Sequence, residues 1–302
     1  MDVGAQGPVA EPKVCVIFNP KAGRRRPDEL RRRVRQECGP DAELRPTEGP
    51  GHAEELARAA AAAGFDVVAA AGGDGTVHEV ANGLLRAPRA DVAFQVVPIG
   101  SANDYHHSLA WENGAGLRWV DVGLARREDG KERFFVNGLG LGFNGQVTRE
   151  ARKIRHLRGI PLYGLALLRT LCYHYHAPPL DLAFDGISRR EPTLALTINL
   201  GRREGNFIMA PDARLDDGWF DYLQAGALSR LELLRCIPGM ISGHLPTNHP
   251  RIWRGRCKEV KVSAEAPLTV HLDGEFFCQA EDGIRRIEVR LLPAALAVRT
   301  GK

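Results

Sequence analysis

The chain has 302 residues, a net charge of +4 and 44% hydrophobic residues, values typical of a globular protein with one large domain or two. So small a charge, with no recognisable nucleic-acid-binding motif, excludes a nucleic-acid partner. No uncharged apolar run reaches the ~18 residues of a membrane span, and the first residues lack the pattern of a secretory signal. Six scattered cysteines with no C-x-x-C pair favour buried thiols in a reducing cytoplasm.

In the first half of the chain, short apolar runs alternate with helix-like segments. Strands are predicted at Val14–Phe18, Ala42–Arg45, 67–71 and Phe94–Gly100, and helices at Pro27–Cys38, at Gly51–Ala63 and directly after Gly75. This alternation predicts βαβ units in a mostly parallel, Rossmann-like sheet. Since ligands bind beyond the carboxyl ends of such strands, the loops at 19–23, 72–76 and 100–104 are expected to converge on one crevice.

After Leu124 the pattern changes to hairpin-forming strands. The predicted strands are 134–136, Leu180–Phe184, Pro192–Leu200, Gly218–Ala225, Glu259–Ala264, Leu268–Leu272 and Ile287–Leu292, with helices at Gln146–His156, Leu162–Tyr175 and Ser229–Ile241. We therefore predict a disordered leader at 1–12, an α/β domain at 13–124, a β-rich, antiparallel, sandwich-like domain at 125–292 and a tail at 293–302 that can return to the first domain.

The first stretch that indicates chemistry is Gly72–Thr76, where a buried strand ends in glycines around Asp74. Glycines permit a sharp turn and a close approach of backbone amides to a ligand, and a helix N-terminus favours anions. A carboxylate at that point disfavours a bare phosphate, so Asp74 indicates a metal, a hydroxyl or a proton. The alternative is an ordinary strand–turn–helix corner. No P-loop motif occurs in the sequence.

Several other loops carry polar residues suited to phosphate or metal binding. They are Asn19–Gly23 with Lys21, Gly100–Asp104 with Ser101 and Asn103, Asp121 within an apolar strand, Pro211–Trp219 with its acidic pair, and His271–Glu275. Each also has a structural interpretation: a plain loop, a helix cap, a buried ion pair, an Asp-Gly turn or a solvated hairpin.

The run Gly140–Gly145 satisfies the G-x-G-x-x-G dinucleotide pattern. A dinucleotide site also needs an acidic residue about twenty positions further on, where this chain has only apolar side chains. We interpret the run as close backbone packing near the junction of the two domains. The arginine-rich segment from Arg24 to Arg35 is interpreted as a solvated helix face, with contact to anionic lipid a secondary alternative.

Taken together and in order, these motifs resemble the diacylglycerol kinase catalytic family. The resemblance rests on Asn19–Gly23, Gly72–Thr76 with Asn82-Gly83, Gly100–Asp104, Leu215–Gly218 and Asp273–Glu275, and extends from Val14 to Arg299. The G-G-D-G-T element is shared with NAD kinases and phosphofructokinases, so it does not distinguish these families. The two acidic motifs of the second half, Leu215–Gly218 and Asp273–Glu275, are the ones that distinguish diacylglycerol kinases from them. Soluble bacterial lipid kinases resemble the chain more than sphingosine and ceramide kinases do.

The resemblance implies an ATP- and Mg²⁺-dependent lipid kinase with its active site between two domains. It implies nucleotide contacts from Asn19, Lys21, Thr47, Gly73, Asp74, Gly75, Thr76, Ser101 and Asn103. It implies an acidic network around catalytic Mg²⁺ from Asp74, Asp104 and Asp121, a structural Mg²⁺ held by Asp217 with carbonyls of Arg214 and Trp219, and Glu275 as general base. Whether Asp74 or Glu275 takes the proton stays open.

The resemblance further implies a cytoplasmic enzyme that touches a membrane peripherally to reach its lipid, and it allows a homodimer. Two alternatives remain: an NAD-kinase-like activity on a soluble nucleotide, and a non-catalytic lipid or nucleotide sensor. A sensor would predict lost acidic residues, and all of them are present.

Overall fold

The structure is a computed structural model that describes residues 12–22, 27–111, 115–154, 156–157, 159–245 and 248–300. The predicted leader therefore lies almost entirely outside the described residues, as do three of the arginines near residue 25. The helices are α1 Pro27–Cys38, α2 His52–Ala62, α3 Asp74–Leu85, α4 Asp104–Trp111, α5 Phe143–Lys153, α6 Gly159–Tyr173 and α7 Arg230–Ser242.

The strands follow the alternation of apolar residues and the turn residues. They are β1 Val14–Phe18, β2 Glu43–Pro46, β3 Val67–Gly72, β4 Ala93–Pro98, β5 Gly116–Arg127, β6 Glu132–Phe135, β7 Gly138–Gly142, β8 Pro179–Phe184, β9 Ile187–Asn199, β10 Arg203–Glu204, β11 Phe207–Ile208, β12 Phe220–Gly226, β13 Ile252–Cys257, β14 Glu259–Ala264, β15 Val270–Leu272, β16 Glu275–Cys278 and β17 Arg286–Thr300.

The first half forms a parallel sheet in the order β2-β1-β3-β4. β3 and β4 are buried along their whole length, as expected for parallel strands covered on both faces. The alanine-rich face of α2 packs against α3, where a side chain at Gly83 would clash with the backbone of Glu54. This arrangement places the carboxyl ends of β1, β3 and β4 at the same edge of the sheet.

Two long strands join the halves of the molecule. β17 pairs antiparallel with β5 along almost its entire length, and its last residues pair parallel with β4, so the end of the chain lies in the same sheet as the first strands. β5 runs without a break through Leu124, where we predict the domain boundary. The division into domains stays a prediction.

The second half is antiparallel. β8 and β9 form the predicted hairpin around Asp185 and Gly186, both with positive φ. The first half of β9 pairs with β8 and is partly exposed. Its second half is buried and pairs with β7 on one side and with β12 on the other. The mixed fold with a parallel sheet and a β-rich second half is thus confirmed.

Some predicted bounds are wrong. α5 begins three residues early, directly after Gly142, whose φ of 75° lets the chain turn out of β7. β17 continues eight residues past Leu292, because a register shift before Leu296 returns the strand to its pairing with β5. The glycines of 140–145 pack backbone to backbone: a side chain at Gly142 would strike Leu194, and one at Gly145 would strike Thr269.

Candidate active site

The glycine corner sits where β3 ends and α3 begins. Gly73 caps the helix, and the amides of Thr76 and Val77 both donate to its carbonyl, at 3.0 and 3.1 Å. Gly100, at the end of β4, comes so close that a side chain there would clash with the Gly73 backbone. The close approach therefore needs glycine at position 100, and together the two loops form one wall of the site.

Two carboxylates, the half-buried Asp74 and the buried Asp104, are held directly beside this corner. Asp74 accepts hydrogen bonds from the amides of Asn103 (3.0 Å) and Asp104 (2.8 Å), so it anchors the start of α4. Asp104 accepts from the amides of Gly205 (2.6 Å) and Asn206 (3.2 Å), which fixes the β10–β11 turn of the second half. The two acids thus connect three segments that are far apart in sequence.

Burial raises the pKa of both carboxyl groups. For Asp74 the loss of solvation outweighs the backbone hydrogen bonds that favour its charged form. For Asp104 burial and the nearby Asp74 charge raise the pKa to about 7, against the opposing effects of the Asn206 amide and Arg203. A cation bound to both carboxylates would favour their charged forms and so lower both pKa values.

One cavity, which we call the glycine cavity, lies over the carboxyl ends of the parallel strands. It has a volume of about 420 Å³. Five residues predicted to contact the nucleotide line it: Asn19, Gly73, Gly75, Thr76 and Ser101. The convergence of the three loops is therefore observed.

The remaining predicted nucleotide residues lie outside that lining. The amide of Lys21 donates to Asn19 Oδ1 (2.9 Å), and its own side chain is exposed. Thr47 follows β2 and donates its amide to the Phe18 carbonyl (2.9 Å). Asn103, with a φ of 50°, donates its side chain to the Gly100 carbonyl (2.9 Å) and so supports the loop.

A second cavity of about 400 Å³, the apolar cavity, extends from the same corner into the second half. It shares Gly73, Gly75 and Ser101 with the glycine cavity. Its deep part lies between the sheet and helices α6 and α7 and is lined by apolar side chains, among them Leu167, Leu194, Met209, Leu223, Leu233 and Met240. The acids, including Asp74, Asp104 and Glu275, line its polar end.

The turn between β15 and β16 brings Glu275 to the junction of the two cavities. Asp273 accepts from the amides of Val136 (3.1 Å), Asn137 (2.9 Å) and Gly138 (3.0 Å), and from His78 Nδ1 at 2.8 Å. His78 belongs to α3, so this buried pair ties the turn to the helix that carries Asp74.

Glu275 itself is half-exposed and lies over the start of α3. A side chain at Gly75 would come within 2.9 Å of Glu275 Oε1. Its other oxygen accepts from the Arg152 guanidinium (2.7 Å), which also packs 4.6 Å from the Phe276 ring centre. Glu275 and Asp74 therefore border the same short space, and both can meet a substrate hydroxyl.

Asp121 lies in β5, and the acidic network that it is predicted to form with Asp74 and Asp104 stays a prediction. Its carboxylate accepts from the amides of Gly218 (2.7 Å) and Ala294 (2.8 Å). The Ala294 amide is available because β17 shifts register at that point. Asp121 therefore supports the Leu215–Gly218 loop and the bulge of β17.

In that loop, Asp217 forms an ion pair with Arg256 and accepts from the Trp219 amide (3.2 Å). Arg256 also lies 3.5 Å from Asp221, whose Oδ2 is buried without a hydrogen-bond partner. Burial raises the Asp221 pKa, and the charges of Asp217 and Asp212 raise it further, partly offset by Arg256. Among the described residues no group of three or more His, Cys, Asp or Glu side chains forms a ready metal cluster.

Sequence reasoning missed four residues of the site: His78, Arg152, Glu204 and His271. His78 follows Asp74 by one helical turn, a spacing that places both on one side of α3 and could have indicated its role. Glu204 and His271 border the apolar cavity, and only the pairing of β15 with β7 brings His271 there.

The comparisons with known proteins agree with this geometry. Residues 13–126 match the family described as "Diacylglycerol kinase catalytic domain", and residues 138–300 match the "YegS C-terminal NAD kinase beta sandwich-like domain". The chain is 28% identical to a diacylglycerol kinase of Bacillus subtilis (strain 168) over 276 residues, covering 86% of this chain and 89% of the relative. It is 30% identical to a diacylglycerol kinase of Staphylococcus aureus (strain JH9) over 276 residues, covering 86% and 85%.

Solved structures show the same fold at lower identity. A putative diacylglycerol kinase from Bacillus anthracis str. Sterne superposes with a TM-score of 0.72 at 22% identity, covering 96% of this chain and 97% of that one. A second structure from the same organism gives 0.68 at 19% identity, with the same coverage. The fold, the glycine corner with its acids and the matched sequences lead to one conclusion: the chain belongs to the diacylglycerol kinase family and is a lipid kinase.

Proposed function

We propose that this enzyme transfers the γ-phosphate of ATP to a hydroxyl of diacylglycerol or a related lipid. The observation that carries the proposal is the meeting of the glycine cavity and the apolar cavity at Gly73–Gly75, with carboxylates at the junction. A nucleotide in the first cavity and a lipid in the second would bring a phosphate and a hydroxyl together there. The nucleotide part would be 13–124 and the lipid part 125–292.

On the nucleotide side, the parts suited to phosphates are the helix N-terminus and the glycine loops. The start of α3 favours negative charge, and the glycines leave its backbone accessible. Asn19, Thr76 and Ser101 supply polar side chains around the same cavity. Phosphoryl transfer requires alignment and charge neutralisation more than covalent participation by the protein, and these groups provide both.

The acids at the junction fit a catalytic Mg²⁺. Asp74 and Asp104 lie next to one another and both have raised pKa values, a donor set that a hard cation satisfies. When bound, Mg²⁺ supplies neutralisation of phosphate charge. Asp74 and Asp104 would hold the Mg²⁺ ion. Through the amides that donate to them, they would also fix the positions of the start of α4 and of the β10–β11 turn.

The Asp217 loop fits a second, structural Mg²⁺ less completely. Asp217, together with carbonyls of Arg214 and Trp219, is an oxygen-rich set, and Asp221, which shares the Arg256 contact, adds negative charge beside it. Arg256 already neutralises part of this negative charge through its ion pair with Asp217. The loop would therefore take the cation in exchange for the Arg256 contact.

For the proton of the acceptor hydroxyl, two carboxylates are in position. Glu275 is half-exposed and only its Oε2 accepts a hydrogen bond, from Arg152, whereas Asp74 is fixed by two amides. We propose Glu275 as the general base, because both Asp74 oxygens already accept hydrogen bonds. A positioned base of this type contributes typically 10²–10⁴ in rate.

The apolar cavity argues for a lipid rather than a soluble nucleotide as the acceptor. NAD and similar molecules carry charge along their length, and burying charge among leucines without partners is costly. Among the described residues no helix is long and apolar enough to cross a membrane. The lipid would thus be taken from a membrane surface by peripheral contact, as we expect for a cytoplasmic enzyme.

The experiment that tests the proposal supplies γ-labelled ATP and Mg²⁺ with mixed micelles of diacylglycerol, beside a parallel reaction with NAD. We expect label in the phosphorylated lipid and none in NAD. Label in NAD alone would support the NAD-kinase-like alternative, and no transfer to either, with ATP still bound, would support the sensor.

A further inference from the structure

A buried histidine on α3 holds the turn that carries Glu275. His78 is 2% exposed, and its Nδ1 lies 2.8 Å from Oδ2 of Asp273, whose side chain is also buried. Its other ring nitrogen, Nε2, lies 3.1 Å from Nε of Arg133. A guanidinium has no acceptor atom and can only donate, so Nε2 accepts this bond. The ring proton is therefore on Nδ1, which donates it to the Asp273 carboxylate.

Arg133 is itself fixed from its other side. Its Nη1 donates to Oε2 of Glu54 at 2.5 Å, and Glu54 lies in the first turn of α2. The polar contacts thus run from Glu54 through Arg133 and His78 to Asp273, and we call these four residues the His78 network. Because the imidazole has a partner at each nitrogen, both its position and its orientation are set by the surrounding elements.

Asp273 and Gly274 form the two-residue turn between β15 and β16. Leu272 pairs with Glu275 across the turn, and the two turn residues have φ of 51° and 83°, the positive pair typical of a type I′ turn. In so short a turn, the orientation of Asp273 determines the direction in which Glu275 points. The Asp273 carboxylate is bound by backbone amides of the second half of the chain and by His78 of the first. The His78 bond therefore ties the turn to α3.

α3 also contacts Glu275 itself. Asp74 and Gly75 begin the helix, and His78 follows one turn later on the same side. A side chain at Gly75 would come within 2.9 Å of Glu275 Oε1. The helix thus meets the turn at two places, and these contacts set the separation between the Asp74 and Glu275 carboxylates. His78 is not among the residues that line either cavity, so a substrate placed there would not touch it.

On the basis of the proposed function, we propose that His78 is a positioning residue: by donating to Asp273 it holds the β15–β16 turn so that Glu275 meets the acceptor hydroxyl beside Asp74. His78 transfers no proton itself. A displacement of about 1 Å at a reacting group can cost ~10² in rate. Loss of the bond should therefore lower kcat and leave the affinity for ATP unchanged.

Two replacements of His78 separate its two contacts. The side-chain amide of His78→Asn reaches the place of Nδ1 and can still donate to Asp273, whereas that of His78→Gln reaches the place of Nε2 and meets Arg133 instead. With γ-labelled ATP, Mg²⁺ and diacylglycerol micelles, we expect kcat within about threefold of the wild type for His78→Asn and lower by roughly 10–100-fold for His78→Gln. The Kd for ATP, measured by calorimetry, should stay within about twofold in both. Should His78→Gln not fold, His78→Ser, which reaches neither partner, replaces it.

A double-variant cycle tests whether His78 acts through Glu275. In Glu275→Gln the base is already lost, so the further change His78→Gln should lower kcat by less than about twofold. If His78 only stabilised the fold, the change would alter kcat by the same factor with and without Glu275. Melting temperatures of the single and double variants measure that stabilisation separately.

The outcomes are separable. Equal kcat in His78→Asn and His78→Gln, or the same loss with and without Glu275, overturns the role of His78 and leaves the proposed function standing. A wild-type kcat in Glu275→Gln removes the base, and the inference with it, while lipid phosphorylation stands. No phosphorylation of diacylglycerol by the wild type overturns the proposed function and the inference together.

Discussion

Glu275 and Asp74 border the same space in the site but differ in exposure and in hydrogen bonding. Each oxygen of Asp74 accepts a backbone hydrogen bond, whereas Glu275 is half-exposed with one oxygen facing Gly75. The first is suited to holding a cation and a loop, and the second to exchanging a proton. We propose different roles for the two acids because their surroundings differ.

Replacement of either acid tests this division. We expect Glu275→Gln to lower kcat by 10²–10⁴ with little change in the KM for ATP, because only a proton acceptor is lost. Asp74→Asn should lower kcat at least as far and also weaken the dependence on Mg²⁺. Initial rates over a Mg²⁺ titration measure both, with melting temperatures to verify folding. Turnover of Glu275→Gln near the wild-type value would remove it from the base role.

The raised pKa of the Asp104 carboxyl group predicts that the stability of the metal-free protein depends on pH. Burial and Asp74 raise its pKa to about 7 from an ordinary 3.8, so between these values the folded protein keeps a proton that the unfolded chain has released. The stabilisation is complete below pH ~4 and is lost as the pH rises through about 7.

The Asp104→Asn variant cannot ionise and should not show this loss. Between roughly pH 4 and pH 8, the free energy of unfolding of the wild type should fall relative to the variant by at most about 4 kcal/mol, from three pKa units at 1.36 kcal/mol each. Denaturant unfolding in EDTA measures it. Parallel pH profiles of the two proteins would contradict a raised pKa.

At the scale of elements, the site depends on two loops that approach each other closely because Gly100 has no side chain. The β3–α3 corner and the end of β4 touch through Gly73 and Gly100. The repeated strand–glycine pattern allowed the sequence to predict these loops and their convergence. The pattern could not reveal which glycine faces which, because that depends on the packing of β3 against β4.

A methyl group at this contact should separate the loops. Gly100→Ala is expected to raise the KM for ATP at least tenfold, because its Cβ would displace the backbone of Gly73 in the glycine cavity. Gly49→Ala is the control, since nothing lies within 4 Å of its added carbon and its φ is not positive. An unchanged KM in Gly100→Ala would place the nucleotide elsewhere.

The long-range contacts between these elements could not be predicted from the sequence. Asp121 sits in an apolar strand, as predicted, but its partners are the amides of Gly218 and Ala294. The Ala294 amide is available because β17 shifts register at that point, and no local sequence pattern predicts this shift. The His78–Asp273 pair joins residues 195 positions apart. Contacts of this range depend on the register of distant strands, so motifs predicted the loops but not these partners.

For the whole molecule, the apolar cavity is flanked by two helices that leave large apolar side chains exposed. In α6 these are Leu168 (54% exposed) and Tyr173 (79%), and in α7 they are Leu231 (57%) and Leu234 (43%). The helices are joined at one end, where Arg230 donates to the Leu171 carbonyl (3.0 Å). Exposed apolar side chains beside the apolar cavity are suited to contact with a membrane surface.

Membrane contact through these helices predicts the effect of one charge. Leu168→Glu should reduce co-sedimentation with anionic vesicles several-fold and lower the rate with vesicle-borne lipid, while transfer to short-chain lipid below its micelle concentration stays within about twofold. Ile187→Glu, at a 78% exposed position on the distant β8–β9 hairpin, is the control. Equal loss in both variants would argue against a docking face on α6.

The central claim is that one cavity holds the nucleotide and the other the lipid, and filling the apolar cavity tests it most directly. Ala225 is buried in β12 and lines that cavity. In Ala225→Phe we expect the KM for diacylglycerol to rise at least tenfold, while the Kd for ATP, measured by calorimetry without lipid, stays within twofold. A weakened affinity for ATP, or an unchanged KM for the lipid in a folded variant, would contradict the account.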